Sequence, residues 1–267
     1  MNGKFTLRGL DIRRDLNEYN FASLPAEDRE YFENATLRST VIRNWPDENF
    51  LYKTFYRLNS GSLPLSPQEL RKALIGGNLL AAIDDYLLAS ESYRRLFGNT
   101  LDKRMRDSEL VLRFLAFDRS LQDYRGDFKK FLDATTQYFE DDWDTREPEV
   151  KEGFARLDKS LDVTHRLFGT DSFKKWRGFR YEKVINRAIF DSLTRFFCDD
   201  LIVKKLEMSE YDIIGAFKEI CLEQSFRDSI EKTTKSVEAT FYRVDSWGKR
   251  LADSLGQTYN IKLHRIT

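Results

Sequence analysis

Beyond Pro46 apolar residues recur at helical spacing along most of the chain. Leu70 and Leu74 stand one turn apart, and the series Val150, Phe154, Leu157, Leu161, Thr164, Phe168 keeps the alternation of three and four that turns one face of a helix inward. Ile185, Ala188, Ile189, Leu193, Phe196 and Phe197 predict a further amphipathic helix. Residues Leu110 to Phe117 are apolar on nearly every side, so this helix is expected at the centre of a core. Strand signals are confined to the first residues: a short strand at Lys4 to Leu7, a helical stretch around Asp11 to Phe32, and a β-branched strand from Leu37 to Arg43. The expected class is α+β and predominantly α-helical.

Asp141, Asp142 and Asp144 before Pro148 form a polar break, which places a subdomain boundary near residue 145. The expected division is residues 1–75, a helical core region 76–145 and a C-terminal helical subdomain 146–267. No internal repeat or low-complexity tract interrupts it.

With 41% hydrophobic and 14% aromatic residues the chain is globular despite its 33% charged content. Lys plus Arg and Asp plus Glu number 44 each, so net charge does not indicate nucleic acid, and any basic patch must be local. No run approaches the roughly 18 apolar residues of a membrane span, and the start Met1-Asn2-Gly3-Lys4 has no signal core. A cytoplasmic protein without a membrane partner is expected.

Cys198 and Cys221 have no CxxC spacing and read as buried thiols. His165 and His264 lack metal-ligand spacing, and no metal site is expected. Walker A, G-x-G-x-x-G and G-x-S-x-G patterns are absent. Asp144 with Glu149-Val150-Lys151 loosely resembles a nuclease metal site, but it reads better as the acidic first turn of a helix opening after Pro148.

The stretch from Thr54 to Ala73 is more specific. Ser66 suits an N-cap, Pro67 the first helical position, and Glu69 completes a capping box. Asn59 and Gly61 can end the preceding helix, but Arg57 is not needed for that. A guanidinium, an amide and freed backbone N–H groups in one turn suit phosphate oxygens or the hydration shell of a metal. Downstream, Arg106 to Glu109 and Glu109 to Arg113 have the spacing of ordinary surface ion pairs. The alternative is that Arg104, Arg106, Glu109 and Arg113 line a cleft facing the Arg57 turn.

Phe55-Tyr56-Arg57-Leu58-Asn59 followed by Gly61, then Leu65-Ser66-Pro67-Gln68-Glu69-Leu70-Arg71, resembles a signature of the ParB/sulfiredoxin-like (DUF262) domain at the N-terminus of GmrSD-type restriction endonucleases. Lys103 to Phe114, Asn186-Arg187-Ala188-Ile189-Phe190 and the region Thr234 to Arg243 extend the resemblance over most of the chain. The resemblance implies a small ParB/sulfiredoxin-like remnant followed by a helical bundle, in a nucleotide-binding module of bacterial anti-phage or restriction systems. Arg57 would contact phosphate, Asn59 phosphate or hydrated Mg²⁺, Gly61 would complete the nucleotide-binding turn, and Glu69 would hold the helix start. The cofactor implied is a nucleoside triphosphate with Mg²⁺.

The chain contains no copy of the family's first signature, Asp-Gly-Gln-Gln-Arg-Leu-Thr-Thr, and no His cluster of an HNH-type nuclease. It is therefore expected to be N-terminally incomplete and to bind nucleotide without full hydrolysis on its own. The second expectation is a helical interaction subunit that docks a nuclease or a partner carrying the missing signature. A truncated gene without an independent role is the third.

Overall fold

The computed structural model describes residues 5–36, 38–39, 41–44, 50, 54, 57, 65–208 and 212–267. The chain forms two compact units, residues 1–48 and 49–267.

In the first unit Thr6 forms an isolated antiparallel bridge with Asn20, closed by Leu7 N to Tyr19 O and Glu18 N to Leu7 O, both at 2.8 Å. The strand expected from Lys4 to Leu7 is reduced to this bridge, and Lys4 lies outside the described residues. The helical stretch expected at Asp11 to Phe32 is split into a 3₁₀ turn at Arg14–Leu16 and helix α1, Ala26–Glu33. Pro25 stands immediately before α1 and disfavours helical geometry in Leu24, and Asn20 is held in the bridge to Thr6 between the two helical pieces. No strand forms at residues 38, 39 and 41–43, and Leu37 and Thr40 lie outside the described residues. β-Branched residues favour extended backbone, yet a strand also needs a neighbour to take its N–H and C=O groups.

The second unit is helical: α2 (Pro67–Leu74), α3 (Asn78–Ala89), α4 (Glu91–Phe97), α5 (Arg106–Ser120), α6 (Phe128–Asp141), α7 (Trp143–Phe168), α8 (Arg187–Phe197), α9 (Asp200–Met208), α10 (Ile213–Leu222), α11 (Gln224–Glu231) and α12 (Val237–Ser254). Strands β1 (Tyr259–Asn260) and β2 (Arg265–Ile266) pair antiparallel, with Tyr259 opposite Ile266. Helix α5 is the central helix expected from its apolar run: every residue from Leu110 to Phe117 is buried, and α2, α3, α6, α7 and α8 surround it. One continuous apolar cluster runs from Leu79 on α3 to Ile266 on β2.

Polar side chains set the helix starts. The Ser66 hydroxyl accepts from Glu69 N at 3.1 Å while the Glu69 carboxylate accepts from Ser66 N at 2.5 Å, the reciprocal box expected from the sequence. Asn186 caps α8 through Ala188 N and Ile189 N at 2.8 and 3.2 Å. At α3 the cap comes from another helix: Glu140 on α6 accepts from Asn78 N and Leu79 N at 2.9 and 2.7 Å. Its carboxylate occupies the space where a Cβ on Gly77 would stand, and Gly77 has φ +93°.

Helix α7 begins at Trp143, so Pro148 lies inside the helix and the expected start after it is corrected. The proline removes one hydrogen bond. Tertiary contacts hold the first turns regardless: Arg146 lies 3.8 Å over the Tyr138 ring and donates to Tyr138 O, and Val150 is fully buried. Glu149, of the loosely nuclease-like set Asp144, Glu149 and Lys151, faces Tyr138 and Arg119. Among the described residues no helix is long and apolar enough to cross a membrane.

Candidate functional site: a basic cleft at the start of α5

Of the turn singled out by sequence, Asn59 and Gly61 lie outside the described residues, and Arg57 is helical and exposed. The capping box that follows is tied to the second signalled segment. The Ser66 hydroxyl donates to Arg104 O at 3.1 Å, Arg104 Nε lies 3.3 Å from Glu69, and Gln68 Nε2 donates to the Ser108 hydroxyl at 3.3 Å. The start of α2 and the turn before α5 therefore form one polar junction.

Arg104, Arg106, Glu109 and Arg113 then diverge. Arg106 does not pair with Glu109 as a surface pair; it pairs with Asp102 at 2.8 Å and lines a cleft. Glu109 does face Arg113, at 3.7 Å, but that pair is buried, and the same carboxylate accepts from Arg187 at 3.0 Å. Arg113 is directed into the core, where Nε donates to Asp191 at 3.0 Å and the guanidinium stacks 4.1 Å over Phe128. Arg243 on α12 reaches the same carboxylate at 3.4 Å. Asp191 was not legible as a site residue, since it sits within the otherwise apolar run of α8. Its burial holds two guanidiniums that helix spacing would assign to a surface.

The cleft has a volume of about 650 Å³, within the range of ordinary ligand pockets. The end of α4, the turn at residues 98–105, the start of α5, the end of α7 and the segment 169–187 enclose it. Gly98, at φ +92°, turns the chain out of α4. The opposite wall is a hydrogen-bonded loop, closed by Asn186 N to Phe173 O, Glu182 N to Lys175 O and Arg177 N to Arg180 O, each at 2.9 Å. Phe173 holds φ +61° because its ring is fixed between Phe97 and Phe190, with centroids at 6.1 and 4.9 Å.

Tyr93, Phe97, Leu110 and Phe173 give the cleft an apolar floor, and Arg95, Arg106, Lys174, Lys183 and Arg187 give it a cationic rim. Two acids line it, Asp102 and Asp107, and both are engaged. Asp102 accepts from Arg104 N at 2.7 Å and from Arg106 Nε at 2.9 Å, and Asp107 accepts from Asp102 N at 2.7 Å and Ser108 N at 2.8 Å. The Arg106 hydrogen bond holds the Asp102 carboxyl below its usual range. Arg95 and Lys174 have acidic neighbours outside the cleft, Asp162 at 3.2 Å and Asp171 at 3.3 Å. Lys183 is exposed at the rim and pairs with no acid among the described residues. Burial, helped by the charges of Asp107 and Asp102, pushes the Tyr93 phenol above its usual range, so it stays protonated.

His165 also lines the cleft, with Nδ1 buried and without a hydrogen-bond partner among the described residues. His264 is fixed differently, by Asp245 at 2.6 Å and the Phe241 ring. Cys198 and Cys221 are buried free thiols, each pushed up to about 12 by burial. Among the described residues no group of three or more His, Cys, Asp and Glu is placed to hold a metal ion.

The structure thus brings Arg106, from a segment that sequence singled out, together with Arg95, Lys174 and Lys183, which carried no signal. Arg187 belongs to the Asn186 to Phe190 stretch that entered through resemblance. These cations are far apart in the chain, and only the fold makes them neighbours. Chemically the cleft suits an anion attached to an apolar or aromatic group. Comparison of the chain with family models, curated proteins and solved structures gives no match.

Proposed function

We propose that the chain is a nucleotide-binding module that takes a nucleoside phosphate in the cleft at the start of α5. The observation that carries this reading is the charge of the lining: five cationic side chains and two acids whose oxygens are already engaged, above an apolar floor. Arg106, Lys183 and Arg187 take the phosphates, and the base lies toward Phe97 and Leu110. Charge-assisted hydrogen bonds of this kind are the strong ones, about 1.5–3 kcal/mol each where water is excluded.

The resemblance to GmrSD N-terminal (DUF262) domains supports the same ligand class and adds Arg57, Asn59 and Gly61 as phosphate contacts. It assigns the module to an anti-phage or restriction-type system. Mg²⁺ then arrives bound to the phosphates, because Asp102 and Asp107 are already occupied. Without a copy of the Asp-Gly-Gln-Gln-Arg signature, the chain binds nucleotide and does not complete hydrolysis by itself.

Titration calorimetry with ATP and GTP, with and without Mg²⁺, tests this reading. Wild-type protein binds one nucleotide per cleft, and Arg106→Ala with Lys183→Ala weakens binding at least tenfold. Equal binding by the double variant sinks the assignment.

A second reading, docking of a nuclease or signature-bearing subunit, is favoured by apolar side chains of the first unit. Phe5, Ile12, Tyr31 and Val41 are 77%, 95%, 83% and 70% exposed. Sedimentation with the neighbouring gene products tests it: a complex lost on Ile12→Asp and Tyr31→Asp supports docking, and no complex rejects it.

A further inference from the structure

Helix α5 has a second polar groove at its other end, built by residues 118–123, Arg195 on α8, and Leu263 and Arg265 at the terminal hairpin. It has a volume of about 330 Å³. Arg119, Arg195 and Arg265 converge on it from three separate elements.

Arg195 is the unusual member. It is largely enclosed, and its Nη groups donate to backbone carbonyls, Phe117 O at 3.2 Å and His264 O at 3.5 Å. Its Nε is buried without a hydrogen-bond partner, and no carboxylate pairs with it, among the described residues. Burial pulls its guanidinium below the usual value; the positive charge of Arg265 adds to this, and Cys198, Asp118 and Tyr259 oppose it.

The nearby acid Asp118 is taken by Arg156. Arg265 is exposed on β2 and has no ion-pair partner among the described residues. Arg119 is held in place by stacking 3.4 Å over Tyr138, with Glu149 3.8 Å from its Nε. The remaining acid on the groove, Asp123, is exposed and unpaired among the described residues.

A largely enclosed guanidinium that no carboxylate pairs with is costly, and a second cation beside it raises that cost. An anion between them removes both penalties. We propose that this groove is a binding site for a phosphomonoester-type oxyanion, held by Arg195, Arg265 and Arg119. A carboxylate presents one planar edge to one guanidinium fork, whereas a phosphate offers separate oxygens to arginines carried by separate elements. The site is independent of the cleft at the start of α5 and stands whether or not that cleft takes nucleotide.

The test uses full-length protein carrying Arg106→Ala and Lys183→Ala, so that the other cleft does not contribute. Inorganic phosphate, phenyl phosphate and acetate are titrated at constant ionic strength, with heat and melting temperature as readouts. One phosphate binds per chain with a saturable rise in melting temperature, and acetate binds at least tenfold more weakly. Arg265→Ala, a change at an exposed side chain without an ion-pair partner among the described residues, weakens phosphate binding at least tenfold. Asp123→Asn, which removes a like charge from the rim, tightens it several-fold. Arg195 itself supports two carbonyls and is left intact, so that loss of folding is not mistaken for loss of a ligand. Absence of saturable phosphate binding overturns the proposal, as do equal affinities for acetate and phosphate or indifference to both Arg265→Ala and Asp123→Asn.

Discussion

Arg187 donates to Glu109 Oε1 at 3.0 Å, and the same carboxylate oxygen lies 3.7 Å from Arg113. Glu109 therefore divides one negative charge between a cation on the cleft and a cation in the core. Glu109→Gln keeps the shape and removes the charge, which leaves Arg187 freer to meet a phosphate. Nucleotide affinity in the titration is expected to rise several-fold, while stability in urea falls by about 1–2 kcal/mol as Arg113 loses a charged neighbour. A fall in affinity would mean that Arg187 needs Glu109 for its position more than it is restrained by its charge.

Asp191 is shared by two buried guanidiniums. It is 4% exposed and faces both Arg113 and Arg243, which are 4% and 1% exposed. Removing one partner from a buried ion cluster leaves its charges uncompensated, at a cost of about 3–5 kcal/mol. Asp191→Asn should destabilise the chain by that order in equilibrium urea unfolding. A change below about 1 kcal/mol would show that the guanidiniums are hydrated or partnered in another way.

Alkaline pH should weaken the fold. Cys198 and Cys221 are raised by burial from an ordinary value of 9.0 to about 12, and Tyr86, Tyr93 and Tyr259 are raised in the same direction. A folded-state value above the unfolded one means that the contribution is fully present below pH about 9 and is lost as pH rises toward about 12. Urea midpoints measured from pH 8 upward should decline through that window. Thiol reagents should label native protein far more slowly than unfolded protein, and equal labelling rates would contradict the burial of both cysteines.

Gly77→Ala tests how α6 caps α3. The substitution meets both the positive φ and the Glu140 carboxylate, which would be displaced from Asn78 N and Leu79 N. A loss of about 1–3 kcal/mol is expected from backbone strain with the lost cap. Thermal unfolding measures it, and a neutral result would show that another group takes over the cap.

Helices α7 and α8 were legible because burial of one face imposes a 3.6-residue period, and α5 because its run from Leu110 to Phe117 is apolar on nearly every side. The Ser66–Glu69 box was legible because its hydrogen bonds are local. Three other features were not. Strands β1 and β2 are two residues each, too short for a period to register. The start of α7 before Pro148 depends on Arg146 meeting Tyr138 on another helix, which no local rule anticipates. Helical spacing suggested a partner for Arg106 within α5, but the chain supplies Asp102 from the preceding turn. The cleft was half visible: Arg106 and Arg187 lay in segments already singled out, whereas Arg95, Lys174 and Lys183 become neighbours only through tertiary packing.

The central claim is that a nucleoside phosphate occupies the cleft at the start of α5. The most direct measurement is photo-cross-linking with an azido-ATP analogue, followed by mass spectrometric mapping of the labelled peptides. Label is expected on peptides spanning residues 93–107 and 170–187, competed away by ATP and lost in the Arg106→Ala, Lys183→Ala variant. Label confined to other peptides, or no competable label at all, would contradict the account.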